Sequence, residues 1–336
     1  MKTTMKALVL HRIADQVLQI EDVPIPELAE GQARIRLLAA SLNHRDIYIR
    51  EGLYDNLRLP CILGSDGCGI VEAVGTPDDK HWVGKQVIIN PGSNWGDNPQ
   101  AQSRHFSTLG MPTAGVFAEY VTVAVDRLHL KPAHLSPEQA AAFPIAGATA
   151  YRAVVTQGGV HAQMNVLVTG IGGGVAQFAQ QFSEVFGAAV YVTSGSDWKL
   201  NRAKEMGVAG CINYHTERWE RRLKKESGGF DLVIDSAGGY QINALLLLLK
   251  PGGKLVICGK TLGDPTSLSL YTIFWHQLCI QGTTFATDNE FSSMLSLVEN
   301  KTLVPIIDSV RSFEDIIDAF DLMKEGQQFG KLVVRF

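Results

Sequence analysis

Long apolar runs are missing from this 336-residue chain: no stretch of 18 uninterrupted apolar residues occurs, so no segment is suited to crossing a bilayer as a helix. The start, Met1 to Leu10, reads as a short strand without the apolar centre of a secretory signal. A basic excess is missing too. With 30 Lys and Arg against 34 Asp and Glu, the formal net charge is −4 and the signs are interleaved. Such a surface has no stripe to neutralise phosphates, which argues against nucleic acid as a partner. No CxxC pair occurs. The five cysteines (Cys61, Cys68, Cys211, Cys258, Cys279) are odd in number and widely spaced inside mostly apolar segments, as expected of reduced thiols packed as small hydrophobes. These absences predict a cytoplasmic protein with no membrane or nucleic-acid partner.

At roughly 150 residues per domain the length predicts about two domains. Before Pro132 the sequence is strand-rich and irregular, with Ala33–Ala39 and Phe117–Val123 set between Gly, Pro and Asn turns, as in a partly antiparallel sheet. From Ser136-Pro137-Glu138, where Ser caps a helix and Pro fills its first turn, helix and strand alternate. The apolar runs Val166–Thr169, Ala189–Thr193, Leu232–Asp235 and Lys254–Cys258 are each separated by enough chain for a crossover helix, the requirement of a parallel sheet. A weaker strand follows at Gln281–Phe285, then an amphipathic helix over Ser312–Lys324 and a last strand, Lys331–Phe336. The expected class is α/β, with domain limits at 1–135, 136–284 and 285–336, the tail rejoining the first domain.

The strongest motif runs Asn165-Val166-Leu167-Val168-Thr169-Gly170-Ile171-Gly172-Gly173-Gly174-Val175-Ala176, from an apolar strand through glycines into a helix over Gln177–Phe186. Glycines at Gly172, Gly173 and Gly174, followed by Val175, let the backbone approach a pyrophosphate whose charge meets N–H groups at the helix start. A strand–turn–helix setting of this kind predicts a Rossmann dinucleotide site rather than a plain turn. An NAD site places an acid at the end of the second strand, on the ribose hydroxyls. Ser194 stands there instead. It leaves room for a 2′-phosphate, and Lys199 and Arg202 follow on one helix face, so NADP(H) is the expected cofactor. Asp197 is the alternative acid, although its place ahead of Trp198-Lys199-Leu200 suits a helix start.

These features, together with Ser41-Leu42-Asn43-His44-Arg45-Asp46, with Gly64-Ser65-Asp66-Gly67-Cys68-Gly69-Ile70-Val71-Glu72-Ala73-Val74-Gly75 and with Gly147-Ala148-Thr149-Ala150-Tyr151, resemble the medium-chain dehydrogenase/reductase superfamily, in its zinc-independent quinone-oxidoreductase-like branch. The likeness spans essentially the whole chain. It implies a GroES-like, mainly β catalytic domain completed by the C-terminal tail, with a Rossmann domain inserted between. Zinc-dependent members carry a Cys, a His and a Cys where the motifs put Asn43, Ser65 and Ile145, and these three make no usable donor set for Zn²⁺. A structural zinc would need four cysteines in Asn90–Met111, which has none. No metal is expected, and His44, His81, His105, His129 and His134 are too scattered to change that.

Without a Lewis acid, hydride transfer is easier to an acceptor that is already electron-poor, a quinone or an activated C=C bond. By resemblance, Asn43, Asp46 and Thr149 lie near nicotinamide or substrate, although Asn43 and Asp46 are also suited to loop hydrogen bonding. Tyr54 falls where zinc-free enoyl-thioester reductases of the superfamily carry a proton-donating tyrosine. The resemblance further assigns Tyr214 to the adenosine phosphate, Gly259 and Lys260 to the loop after the fifth strand, and Phe329, Gly330 and Lys331 to the nicotinamide side; each also fits ordinary turn chemistry. A homodimer joined through the Rossmann sheets, with Lys260–Leu278 at the contact, is implied in the same way. Two other readings stay open: an alcohol or aldehyde dehydrogenase needing a metal, and an NADPH-binding protein with incidental turnover. The turn-rich loop Pro91–Pro99 reads as surface.

Overall fold

Along β1 (Thr4–Arg12) the side chains alternate: Met5, Ala7 and Val9 pack with Ala118, while Leu8 and Leu10 enter the larger core, the two-residue period of a strand covered on both sides. The structure is a computed structural model describing residues 2–13, 17–54 and 57–336. It divides into two compact units, residues 1–145 with 287–336, and residues 146–286.

In the first unit, β1 pairs antiparallel with β2 (Val17–Pro24), and a central strand follows, β3 (Gln32–Ser41). Asn43 then starts the short helix α1 (His44–Arg50). Next come β4 (Cys61–Ile62), which pairs with β1, then β5 (Asp66–Val74), β6 (Gln86–Ile89), β7 (Gly92–Ser93), β8 (Ser107–Leu109), β9 (Pro112–Thr113), β10 (Tyr120–Ala124) and β11 (Leu128–Leu130). The helix α2 (Pro137–Ala141) begins as its sequence predicts: Ser136 Oγ accepts the Gln139 N–H at 3.2 Å and Pro137 fills the first turn. It nevertheless belongs to this unit and not to the next. Its alanines are buried, and Ser41 Oγ lies 2.9 Å from the Ala141 carbonyl, so the compact division falls ten residues beyond the expected 135.

From α3 (Pro144–Tyr151) onward the chain enters the second unit, alternating β12 (Asn165–Val168), α4 (Gly174–Val185), β13 (Ala189–Ser194), α5 (Asp197–Glu205), β14 (Gly210–Asn213), α6 (Trp219–Ser227), β15 (Phe230–Asp235), α7 (Ile242–Leu248), β16 (Leu249–Ile257), α8 (Leu270–Trp275) and β17 (Cys279–Gly282). All neighbouring strand pairs are parallel, in the order β14-β13-β12-β15-β16-β17. This is the doubly wound Rossmann arrangement, whose chain reversal lies between β12 and β15. Leu167, Val233 and Leu255 pack with Leu223, Leu245 and Leu246 from the covering helices. The last strand sits earlier than Gln281–Phe285. It ends at Gly282, and Phe285 takes a φ of +31°, which no strand residue adopts.

The tail, α9 (Asp288–Asn300), β18 (Ile307–Ser312), α10 (Ile316–Lys324) and β19 (Lys331–Arg335), completes the first unit. There β19 pairs antiparallel with β3, giving the strand order β11-β6-β5-β3-β19-β18, with β10 also on β3. The helix expected from Ser312 begins at Ile316, because Ser312 closes β18 and caps a short 3-10 turn through the Glu314 N–H. Phe117, Phe320, Ile35 and Val334 centre this core. Among the described residues no helix is long and apolar enough to cross a membrane.

Candidate active site

The Ser41–Asp46 motif places its polar groups where β3 turns into α1, and the structure closes them into one buried network. Asn43 Nδ2 donates to Asp66 Oδ2 at 2.9 Å, and Asn43 Oδ1 accepts from Lys331 Nζ at 2.7 Å. Lys331 also donates to the Leu42 carbonyl at 2.8 Å and to Asp66 Oδ2 at 3.2 Å. Asp66 Oδ1 accepts the Ile145 N–H at 2.8 Å, and Ser41 Oγ lies 3.1 Å from Asp66 Oδ2. Asp66 is the hub of this network. Neither it nor Lys331 reaches water to any extent, and burying a charge is tolerable only with partners of this quality.

Asp46 takes part differently. Its Oδ2 accepts the Asn43 N–H at 2.8 Å, but its buried Oδ1 has no partner. Burial is the main cause that pushes the carboxyl up to about 6 from 3.8, against the opposing pull of Arg45 and the Asn43 N–H. Arg45 is half-buried beside it. Its Nη1 donates to Ser65 Oγ at 2.5 Å and to the Leu109 carbonyl at 2.9 Å, and Nη2 to the Met111 carbonyl at 3.3 Å. Tyr54 lies with its ring 5.3 Å from the Arg45 guanidinium carbon and is 38% exposed. The carbonyls that hold Arg45 are fixed by backbone packed on backbone: a Cβ on Gly110 or Gly115 would come within 2.5 Å of the Gly64 carbonyl oxygen.

Two further predicted residues lie in this unit. Phe329 is fully buried and its N–H donates to Asp308 Oδ1 at 2.8 Å. Gly330, at a φ of +115°, has no room for a side chain against Ile306. Lys331 thus points inward, to Asn43 and Asp66.

In the second unit the glycine turn stands at the carboxyl end of β12, at the chain reversal of the sheet. Gly170 has a φ of +65°, Gly173 is the N-cap of α4, and no side chain caps that helix. A Cβ at Gly170 would meet nothing within 4 Å and one at Gly173 only the Gly170 carbonyl, so the turn borders open space with a twelve-residue helix starting behind it. An uncapped N-terminus facing open space fits a pyrophosphate. Gly172, Gly174 and Val175 belong to this turn and the first residues of α4. Thr169 Oγ1 donates to Asp235 Oδ1 at 2.6 Å across the switch point, and Asp235 Oδ2 accepts the Gly238 N–H. Burial raises the Asp235 carboxyl.

Ser194 ends β13, where its Oγ accepts the Ser196 N–H at 3.1 Å. Ser196 is the N-cap of α5 and Asp197 its first residue, accepting from Asn213 Nδ2 at 2.7 Å. Lys199, buried on the same helix, carries its amine 5.5 Å from the Trp198 ring centre. Tyr214 meets this group: a Cβ on Gly195 would strike its hydroxyl at 2.6 Å. Gly259 sits against the Ser236 carbonyl with no space for a Cβ, and Thr149 is buried on α3.

The alcohol dehydrogenase GroES-like domain family matches residues 29–133, and the zinc-binding dehydrogenase family matches residues 174–300. The chain belongs to the medium-chain dehydrogenase/reductase superfamily. It is similar to the zinc-type alcohol dehydrogenase-like protein YogA of Leptosphaeria maculans, with 36% identity over 94% of each chain. It is also similar to the acryloyl-coenzyme A reductase of Sulfurisphaera tokodaii, with 29% identity over 98% of this chain and all of that one. A crystal structure of an NAD-dependent alcohol dehydrogenase superimposes with a TM-score of 0.92 at 34% identity, over 99% of this chain and all of that one.

Superfamily membership makes the fit of zinc a direct question of donors. Both ends of the Asn43 amide are engaged, Ser65 Oγ donates to the Leu109 carbonyl at 2.7 Å while accepting from Arg45, and Ile145 offers only an aliphatic side chain. Among the described residues no three His, Cys, Asp or Glu side chains gather as a ligand set. These residues do not suit Zn²⁺. Sequence reasoning missed three participants: Asp66, Arg45 and Asp235. Asp66 and Arg45 lay inside quoted motifs, and an Asp opening an apolar strand beside a Lys opening another was the available signal.

The loop expected at the surface is partly internal. Trp95 is buried, donating its indole N–H to the Asn98 carbonyl at 3.0 Å, and its loop walls a cavity of about 650 Å³ with Arg127, Asp288 and Asn289.

Proposed function

We propose that this protein is a zinc-independent, NADPH-dependent reductase that delivers hydride to an activated C=C bond or a quinone. The single observation carrying the reading is the closed hydrogen bonding of Asn43 and Ser65 beside aliphatic Ile145, which leaves no donor set for a Lewis-acid metal. An acceptor that needs no metal polarisation then suits the site. The likeness to an enoyl-thioester reductase supports the same acceptor class.

Reduced nicotinamide supplies the hydride. For the dinucleotide, Gly172 to Val175 and the start of α4 receive the pyrophosphate, while Ser194, Lys199 and Tyr214 hold the adenosine end and favour a 2′-phosphate over the bare ribose hydroxyl. Thr149, Phe329 and Lys331 stay assigned to the nicotinamide side, the last two through the backbone they order, and Gly259 is kept as a cofactor contact in the loop after the fifth strand. Asn43 and Asp46 shape the acceptor end, and the Tyr54 phenol donates the proton that completes reduction. A homodimer is part of the reading: β17 is the edge of its sheet, and Leu270, Tyr271, Phe274 and Trp275 on α8 are all more than half exposed, an apolar patch a second copy would cover.

An acceptor screen over quinones, enones, enoyl thioesters and aldehydes, run in parallel with NADPH and NADH alongside elemental analysis, tests the assignment. Reduction of enones or quinones with NADPH by metal-free protein is expected. Stoichiometric zinc with aldehyde turnover would overturn it in favour of the alcohol dehydrogenase reading suggested by the zinc-type relative.

A further inference from the structure

Arg45 has no direct ion-pair partner among the described residues. No carboxylate among them lies within ion-pair distance of its guanidinium, whereas three other half-buried arginines, Arg34, Arg50 and Arg127, each pair with one and a fourth, Arg311, donates to Ser309 Oγ. Its partners are three neutral oxygens, Ser65 Oγ and the carbonyls of Leu109 and Met111. Asp46, its neighbour in sequence, spends Oδ2 on the Asn43 N–H. A guanidinium has five N–H donors. Both on Nη1 and one on Nη2 are used, so Nε–H and the second Nη2–H remain. The three anchors and the Tyr54 ring fix the plane of the fork, so its two spare donors are pre-oriented. A half-buried guanidinium whose direct hydrogen-bond partners are all neutral, with Asp46 acting on it only through space, keeps donors for an anion or an oxygen gaining negative charge.

We propose that Arg45 is a catalytic residue that receives the carbonyl oxygen of an α,β-unsaturated carbonyl acceptor and the negative charge that forms on it during reduction. This rests on the reductase reading above and narrows its acceptor to enones and enoyl thioesters. In the step, a C–H bond of the reduced nicotinamide breaks and its hydride forms a C–H bond at the β-carbon. The C=C electron pair moves to the bond between the α-carbon and the carbonyl carbon, and the carbonyl pair moves onto oxygen, giving an enolate on Arg45 and an oxidised dinucleotide. Protonation at the α-carbon restores the carbonyl. The guanidinium meets more charge in the transition state than in the ground state, so its effect falls on kcat.

The test compares Arg45→Lys and Arg45→Gln with the wild-type protein in three measurements: steady-state reduction of an enone, NADPH affinity by nucleotide fluorescence, and binding of 4-nitrophenolate, an enolate-like anion, by its absorbance. Expected is a loss in kcat on the order of 10²- to 10³-fold for Arg45→Gln, a smaller one for Arg45→Lys, unchanged NADPH affinity in both, and at least tenfold weaker phenolate binding in Arg45→Gln. Near-wild-type kcat in both variants, or an equal loss of NADPH affinity in both, would give Arg45 a framework role only and overturn the proposal. Arg45-dependent phenolate binding without wild-type enone turnover overturns the reductase reading while supporting an anion site at Arg45. Enone turnover with Arg45-independent phenolate binding has the reverse meaning.

Discussion

Lys331 Nζ lies 3.2 Å from Asp66 Oδ2, joining the last strand of the chain to the start of β5 across 265 residues, with both side chains out of water. Asn43 is held between them through both ends of its amide. Replacing the cation alone, in Lys331→Met, strands the Asp66 charge and is expected to cost about 3–5 kcal/mol in chemical denaturation. The double variant Lys331→Met/Asp66→Asn removes both charges and should regain a large part of that. Additive losses in the double-mutant cycle would show that the pair is not coupled.

Asp46 gives the pH dependence a sign. Its folded value of about 6 lies above the ordinary 3.8, so its favourable contribution is present below about pH 4 and is lost as pH rises through about 6. The full difference corresponds to roughly 3 kcal/mol. Asp46→Asn keeps an acceptor for the Asn43 N–H and is expected to melt higher than the wild-type protein near pH 8, the gap closing toward pH 4. A gap independent of pH would assign the effect to packing.

How far such features could be read beforehand depended on how local they are. The strand–turn–helix around Gly170–Gly174 is written in consecutive residues, and the parallel sheet followed from its repetition. β14 was not legible as a segment, because Gly210–Asn213 is four half-buried residues with a Gly and an Asn at its ends. The unit boundary was missed because Ala140 and Ala141 in α2 answer to Ser41, a hundred residues earlier. Asp66 offered only the weak signal of an acid opening an apolar strand, and Arg45 less, for the same reason: their partners at Lys331, Ile145, Leu109 and Met111 are distant in sequence.

Cofactor choice should follow Ser194 and Lys199. Ser194→Asp puts an acid where the ribose hydroxyls bind and repels a 2′-phosphate, so the NADPH-over-NADH preference is expected to fall at least roughly tenfold, about one charge-assisted hydrogen bond. Lys199→Met, close in volume for a buried position, should weaken NADPH alone. Fluorescence titration with both dinucleotides reads this directly, and parallel losses for the two would remove Lys199 from 2′-phosphate recognition.

Tyr54 is tested by removing only its hydroxyl. Tyr54→Phe keeps the ring over Arg45 and should lower kcat on an enone by roughly 10²-fold, with NADPH affinity unchanged. If turnover persists at the wild-type rate, the α-carbon takes its proton from solvent.

The edge of the Rossmann sheet offers a separate check on assembly. β17 is hydrogen-bonded on one side by β16, and beside it α8 exposes Tyr271 and Trp275 stacked at 5.7 Å, with Phe274 edge-on to Tyr271 at 5.4 Å. An uncovered strand edge beside three aromatics invites association, and one defined partner is a second copy of the same edge, since a two-fold contact pairs identical patches. Phe274 is 64% exposed, so Phe274→Asp costs the isolated chain little and places a charge in the centre of the interface. Light scattering should give a dimer for the wild-type protein and a monomer for Phe274→Asp with an unchanged thermal midpoint at low concentration. A wild-type monomer, or a dimer unmoved by the substitution, would mean that α8 and β17 are not the contact.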